Sequence, residues 1–201
     1  LSEQLRQPVL GDQFPGNPDP LVETHQVRRC VRVHLIAGGF QYRPQEGDQG
    51  GGVVWCMVAG GSAPRKGDGA QELAGVPRVC DVVLGQGVSG LFLCGSTGES
   101  PSLTVEERMA VSEAYLEAAQ GRVPVVVQVG HNSLTDARAL AAHAQKAGAD
   151  AIAVVPPSYF SIGSVEGLVE CLQHIGEAAP DTPLYYYHIP RLTGVGLPMV
   201  D

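Results

Sequence analysis

The sequence has no apolar run of 18 residues or more, so no segment has the length of a membrane-crossing helix. It has no cysteine pair at CxxC spacing: Cys30, Cys56, Cys80, Cys94 and Cys171 are scattered and odd in number. That pattern argues against a disulfide framework or a zinc site and for reduced thiols. The six histidines show no HxxxH or HExxH pairing, so no metal or cofactor is expected. Basic side chains are also short, 13 Lys and Arg against 21 Asp and Glu, for a formal net charge of −8. Partners that need a basic patch, nucleic acid or an anionic membrane surface, are therefore not expected. The opening "LSEQLRQPVLGDQFPGNPDP" lacks the basic start and apolar centre of a secretory signal, and no initiator Met precedes it. The expectations are a cytoplasmic location and a natural start further upstream.

What is present divides unevenly. Residues 1–80 hold eight basic and eight acidic side chains, whereas residues 81–201 hold five and thirteen and carry the whole imbalance. The first part also holds thirteen glycines and seven prolines, a density at which packed structure is not expected. Two apolar bursts stand out there, residues 31–36 and 53–59. Each has strand character, but nothing in the sequence indicates a pairing partner, and neither carries a chemical motif.

From residue 79 onward the pattern is regular. "GLFLCG" (90–95) is a short apolar run ending in glycine, and "TVEERMAVSEAYLEAAQG" (104–121) follows it. Thr104 and Glu107 stand at capping-box spacing, and Gly121 closes the segment. Val105, Met109, Ser112, Leu116 and Ala119 recur at helical spacing and are expected to face inward. "VPVVVQVG" (123–130) has the continuous apolarity of a strand buried on both faces. A second helix design follows at 133–148, with Ser133 as N-cap and Gly148 at its end. A strand at 149–155, a helix at 164–179 and a strand at 184–189 complete the series. Four strands joined by three helices at about thirty-residue intervals imply parallel pairing through right-handed crossovers. A doubly wound sheet and a piece of a (β/α)8 barrel both have this pattern, and in both the ligand sits at the C-terminal strand ends.

Those ends read "GSTGES" (95–100), "GHNS" (130–133), "PPSYFS" (156–161) and "YHIPRLTG" (187–194). In the first, Gly95 and Gly98 allow close approach of the backbone, and Ser96 and Thr97 offer hydroxyls and amides to an anion such as a carboxylate. A tight turn with solvated hydroxyls would have the same spacing. The run "YYYHIP" (185–190) ends a strand on three phenols, each of which needs a hydrogen-bond partner if buried. A core phenol bonded to a carbonyl is one account of Tyr187, and a functional phenol is the other. His131 is a candidate pocket residue, His188 a structural one, and Glu99 an acceptor beneath the glycine turn. Tyr159 and Phe160 stand on a loop where rings would meet a neighbouring subunit.

"GLFLCGSTGESPSLTVEER", "AGADAIAVVPPSYF" and "PLYYYHIPRLTGV" together resemble the N-acetylneuraminate lyase family, among the pyruvate-handling class I aldolases that include dihydrodipicolinate synthase. The likeness runs over residues 79–197. "YYYHIP" followed by "LTG" is closer to animal sialic acid lyases than to the synthase. The resemblance implies a (β/α)8 TIM barrel, commonly a homotetramer, cleaving N-acetylneuraminate to N-acetylmannosamine and pyruvate. It makes Ser96 and Thr97 the cradle for the pyruvate carboxylate and Tyr187 the phenol that relays a proton. It also requires a Schiff-base lysine on the strand after "YHIP", which residues 1–201 do not reach. The two lysines present, Lys66 and Lys146, are not expected at the barrel mouth.

The expected organisation is thus a Gly/Pro-rich segment of unclear structure at 1–78 and a partial barrel at 79–201, with strands two to five of eight. This chain is expected to be inactive as a lyase. A dihydrodipicolinate synthase-like or other pyruvate aldolase, and a non-catalytic fragment that binds full-length subunits, are the alternatives.

Overall fold

In the computed structural model, residues 55–58 (backbone) and 73–197 are described. The apolar burst at 31–36 lies outside them. Five strands form one parallel sheet: β1 (Trp55–Val58), β2 (Gly90–Leu93), β3 (Val125–Gln128), β4 (Ala151–Val154) and β5 (Leu184–Tyr186), in the spatial order of the chain. Helices α1 (Val76–Gly85), α2 (Val105–Ala119), α3 (Leu134–Ala147) and α4 (Val165–Gly176) alternate with them, and a single turn, α5 (Pro190–Thr193), follows β5. Each strand lies beside its predecessor, as short right-handed crossovers dictate.

The strand count is one higher than the four expected. The second apolar burst finds its partner 35 residues downstream, with Trp55 in register with Gly90 and Val58 with Leu93. The sequence marks it as a strand but not whom it joins, because its partner is neither local nor patterned to it.

The helices form where their caps say. Thr104 Oγ1 accepts the Glu107 N–H at 3.1 Å and the Glu107 carboxylate accepts the Thr104 N–H at 2.9 Å, a reciprocal capping box. Ser133 and Ser164 cap α3 and α4 through the N–H groups of Asp136 and Gly167. Gly148 ends α3 in the left-handed region at φ 86°, where a residue without Cβ carries no steric penalty.

Alternation along the strands produces two apolar layers. Leu91, Leu93, Val125, Val127, Ile152, Val154, Leu184 and Tyr186 pack against the helices. Phe92, Val126, Ala151, Ala153 and Tyr187 form a second cluster on the opposite face. Being buried on both faces is why these strands read as continuous apolar runs. The inward stripe of α2 differs from expectation: its buried residues are Arg108, Val111, Ser112, Tyr115 and Ala119, while Val105, Met109 and Leu116 are half-buried beside them. The helix is rotated to admit an arginine, whose polar head finds acceptors inside.

Candidate active site

The chain leaves β2 through Cys94, which adopts the left-handed region at φ 52°, a strained conformation for a residue other than glycine. The "GSTGES" loop ends in the same way, on Glu99 at φ 52°. The two reversals therefore fall on the residues flanking the glycines. Backbone bonds close the turn: the Glu99 N–H donates to Ser96 O at 3.1 Å and the Ser100 N–H to Gly95 O at 3.4 Å. Glu99, expected as an acceptor beneath this loop, is instead exposed, and the loop is held by its main chain. Gly95 and Gly98 are buried, while Ser96 and Thr97 are half-buried at the rim.

Across the sheet, β5 ends in the tyrosine run. Alternation turns Tyr186 toward the helices and Tyr187 to the opposite layer, where only 1% of it is exposed. The Tyr187 ring stands edge-on to Phe92 with centroids 5.1 Å apart. Its hydroxyl lies 3.2 Å from the Ser96 hydroxyl, so residues 91 apart in the chain meet at one rim. Burial pushes the Tyr187 phenol above its ordinary value of 10.0, and the Ser96 side-chain and backbone hydrogen bonds offset part of that rise. At neutral pH the phenol is therefore protonated and able to donate. Tyr185 is half-buried on the Tyr187 side, and His188 Nδ1 lies 3.2 Å from Tyr186 Oη on the helix side.

The β3 end brings its own groups to this rim. His131 Nδ1 accepts the Ser133 N–H at 3.0 Å and also lies 3.5 Å from Asp136 Oδ2. One nitrogen cannot serve both, because an acceptor of a backbone proton has none to give the carboxylate. The shorter bond assigns Nδ1 as acceptor and leaves the proton on Nε2. Asn132 Oδ1 accepts the N–H groups of Ser158 and Tyr159, at 2.9 and 3.1 Å, and so ties the β3 exit to the β4 exit. Beyond that tie, Tyr159 and Phe160 stand 79% and 82% exposed and edge-to-face.

Arg108, a residue that motif reading passes over, projects from the first turn of α2 onto the same strand end. It is 2% exposed and donates from Nη1 to Gly130 O at 3.1 Å and from Nη2 to Gln128 O at 2.6 Å, with Gln128 Oε1 also accepting. The only signal in the sequence is a charged residue at a buried helical position, which spacing alone cannot tell from a surface one. Lys146 lies at the other end of the molecule: it is exposed in the last turn of α3, which runs down to the N-terminal ends of the strands.

A parallel sheet alternating with helices, with hydroxyls gathered at the C-terminal strand ends, has the layout in which barrel-type α/β proteins place their ligands. The chain belongs to the dihydrodipicolinate synthetase family, whose profile matches residues 56–200 and so begins within β1. It is 41% identical over 141 residues to N-acetylneuraminate lyase A of Xenopus laevis, covering 69% of this chain and 46% of that one. Among solved structures, the N-acetylneuraminate lyase of Proteus mirabilis superposes with a TM-score of 0.67 at 28% identity, covering 72% of this chain and 48% of that one. A catalytic lysine mutant of the Ruminococcus gnavus sialic acid aldolase gives 0.65 at 33% identity, covering 70% and 45%. These neighbours are TIM barrels, and the five-stranded sheet is a partial one. The chain spans under half the length of the relatives it matches.

Proposed function

We propose that the rim formed by β2 and β5 binds the keto-acid part of a sialic acid, as in an N-acetylneuraminate lyase that yields N-acetylmannosamine and pyruvate. The observation that carries this is the 3.2 Å approach of the Ser96 and Tyr187 hydroxyls from β2 and β5, strands with β3 and β4 between them. In this reading the Ser96 and Thr97 hydroxyls and the amides of their turn take the carboxylate, an anion best held by several donors at once. Tyr187, kept protonated by burial, donates toward the keto oxygen and exchanges its proton along the pair with Ser96. The animal lyases among the relatives favour a sialic acid over the synthase's substrate.

Cleavage by this class of aldolase proceeds through an imine on a lysine. The Ruminococcus gnavus relative is described as having a catalytic lysine. Lys146 sits at the opposite end of the strands from Ser96 and Tyr187, so we assign these 201 residues keto-acid binding without imine formation at Lys146.

The test is calorimetric titration of the chain with pyruvate, followed by borohydride treatment and peptide mass mapping. Saturable binding is expected; Ser96→Ala should weaken it by about ten- to a hundredfold, as the loss of one hydrogen bond to a charged group implies, and Tyr187→Phe by about two- to tenfold, as the loss of one to a neutral oxygen implies. Borohydride should trap no pyruvyl adduct. Absence of binding sinks the keto-acid assignment, and an adduct on Lys66 or Lys146 sinks the claim that no imine forms.

A further inference from the structure

We infer that Arg108 is a positioning residue of the keto-acid cradle, and that its buried positive charge makes the cradle select an anionic ligand. The inference rests on the keto-acid reading of the rim and adds to it a source of charge. Four observations converge on it. The guanidinium is buried, and all its acceptors are groups of Gln128 and Gly130 at the C-terminal end of β3. Its Nε is buried without a hydrogen-bond partner. Among the described residues no carboxylate pairs with it, so carbonyl dipoles solvate the charge but do not cancel it. Lastly, the Arg108 main-chain carbonyl receives the Cys94 thiol at 3.9 Å and the Ser112 hydroxyl at 2.8 Å, and Cys94 begins the turn that presents Ser96 two residues on.

A buried cation without a counter-ion is costly, and a neutral side chain with amide donors would satisfy the β3 carbonyls without that cost. Clamping α2 to β3 does not by itself need a full charge. What a charge adds is a fixed positive potential at the strand ends, felt through a medium that screens it less than water does. The group placed to use that potential is a carboxylate held by the Ser96–Thr97 turn. Arg108 need not touch it. The residue holds Cys94 and the β3 end in place and sets the sign of the field around them.

The experiment compares binding of pyruvate with binding of pyruvamide, which has the same ketone and no charge, by calorimetry on the full chain. Two variants separate charge from scaffold. Arg108→Met removes the cation, whereas Gln128→Glu leaves the guanidinium clamped and sets a carboxylate against it. The wild-type chain should prefer pyruvate. Both variants should cut that preference by about tenfold, the order expected of one poorly screened charge, and Gln128→Glu, which keeps the clamp, should change pyruvamide affinity by less than about twofold. If Arg108→Met fails to fold, Gln128→Glu decides alone. A Gln128→Glu chain that keeps the full preference, or variants that lose both ligands equally, would each overturn the role of the charge and leave the keto-acid reading standing. A wild-type chain that binds both ligands alike overturns the role of the charge together with the carboxylate cradle. A wild-type chain that binds neither ligand overturns the keto-acid reading itself.

Discussion

Gly130 shows how tightly the candidate site is built. A Cβ placed there would stand 2.4 Å from Val155 O and 2.7 Å from Val155 N, backbone atoms that cannot swing aside. The same residue's carbonyl accepts Arg108, so the β3 end is fixed from two directions. Gly130→Ala should therefore destabilise the chain by about 2–4 kcal/mol through overpacking. Gly121, at φ 68° with open space around its Cα, isolates the backbone effect, and its replacement by Ala should cost only about 1 kcal/mol. Urea midpoints of the two variants measured side by side check both values. If they shift alike, the close approach to Val155 is not what matters at Gly130. Serine and threonine in a glycine turn and a phenol at a strand end are visible in any listing of the sequence. The contact of Ser96 with Tyr187 is not, because it depends on the parity of β5 and on where five strands place their ends. Arg108 and Gln128 were illegible for another reason: a charged residue in a helix is normally solvated, and no local pattern marks the exception.

At the scale of elements, the caps carried most of the legibility. Thr104, Ser133 and Ser164 each stand where side-chain oxygens take up amides that the first helical turn leaves unpaired, and each helix begins one residue later. The strands after residue 79 were legible because burial on both faces leaves one apolar run per strand. The strand at 55–58 has the same run but depends on a partner beyond a helix, and sequence periodicity does not reach that far. Polar contacts at the surface, the His143–Glu113 hydrogen bond at 2.9 Å and the Arg138–Glu177 ion pair at 3.3 Å, contribute less than about 1 kcal/mol each. The cap is the stronger local device. Thr104→Ala should lower stability by about 1 kcal/mol, while Thr104→Ser should restore most of it. Thermal denaturation followed by circular dichroism tests this, and equal losses in the two variants would contradict a capping role.

For the molecule as a whole, buried acids that are protonated at neutral pH set the alkaline limit. Burial raises the Cys94 and Cys171 thiols above their ordinary 9.0 and the Tyr187 phenol above its ordinary 10.0. The unfolded chain releases these protons first, so between the unfolded and folded values it binds fewer protons than the native state. Their contribution is thus fully present below about pH 9 and is lost as pH rises through the folded values. Stability measured from pH 7 to 11 should stay level in this respect and then fall. Tyr187→Phe should flatten the upper part of that fall, and Cys94→Ala with Cys171→Ala the lower part. A slope unchanged in both variants would show that other groups govern it.

The tyrosine run keeps one feature of β5 through an error that would strip it from most strands. Sliding a strand past its neighbour by one position exchanges its two sides, and an ordinary alternating segment would then show the wrong chemistry to each. Here the residue before Tyr187 is also a tyrosine, so such a slide toward the C-terminus would still leave an aromatic alcohol opposite Ser96. What it would forfeit is the burial of Leu184 against the helices and the Tyr186–His188 contact behind the sheet. Repetition of one residue type thus secures the supply of the hydroxyl, and the histidine two places on secures which copy delivers it.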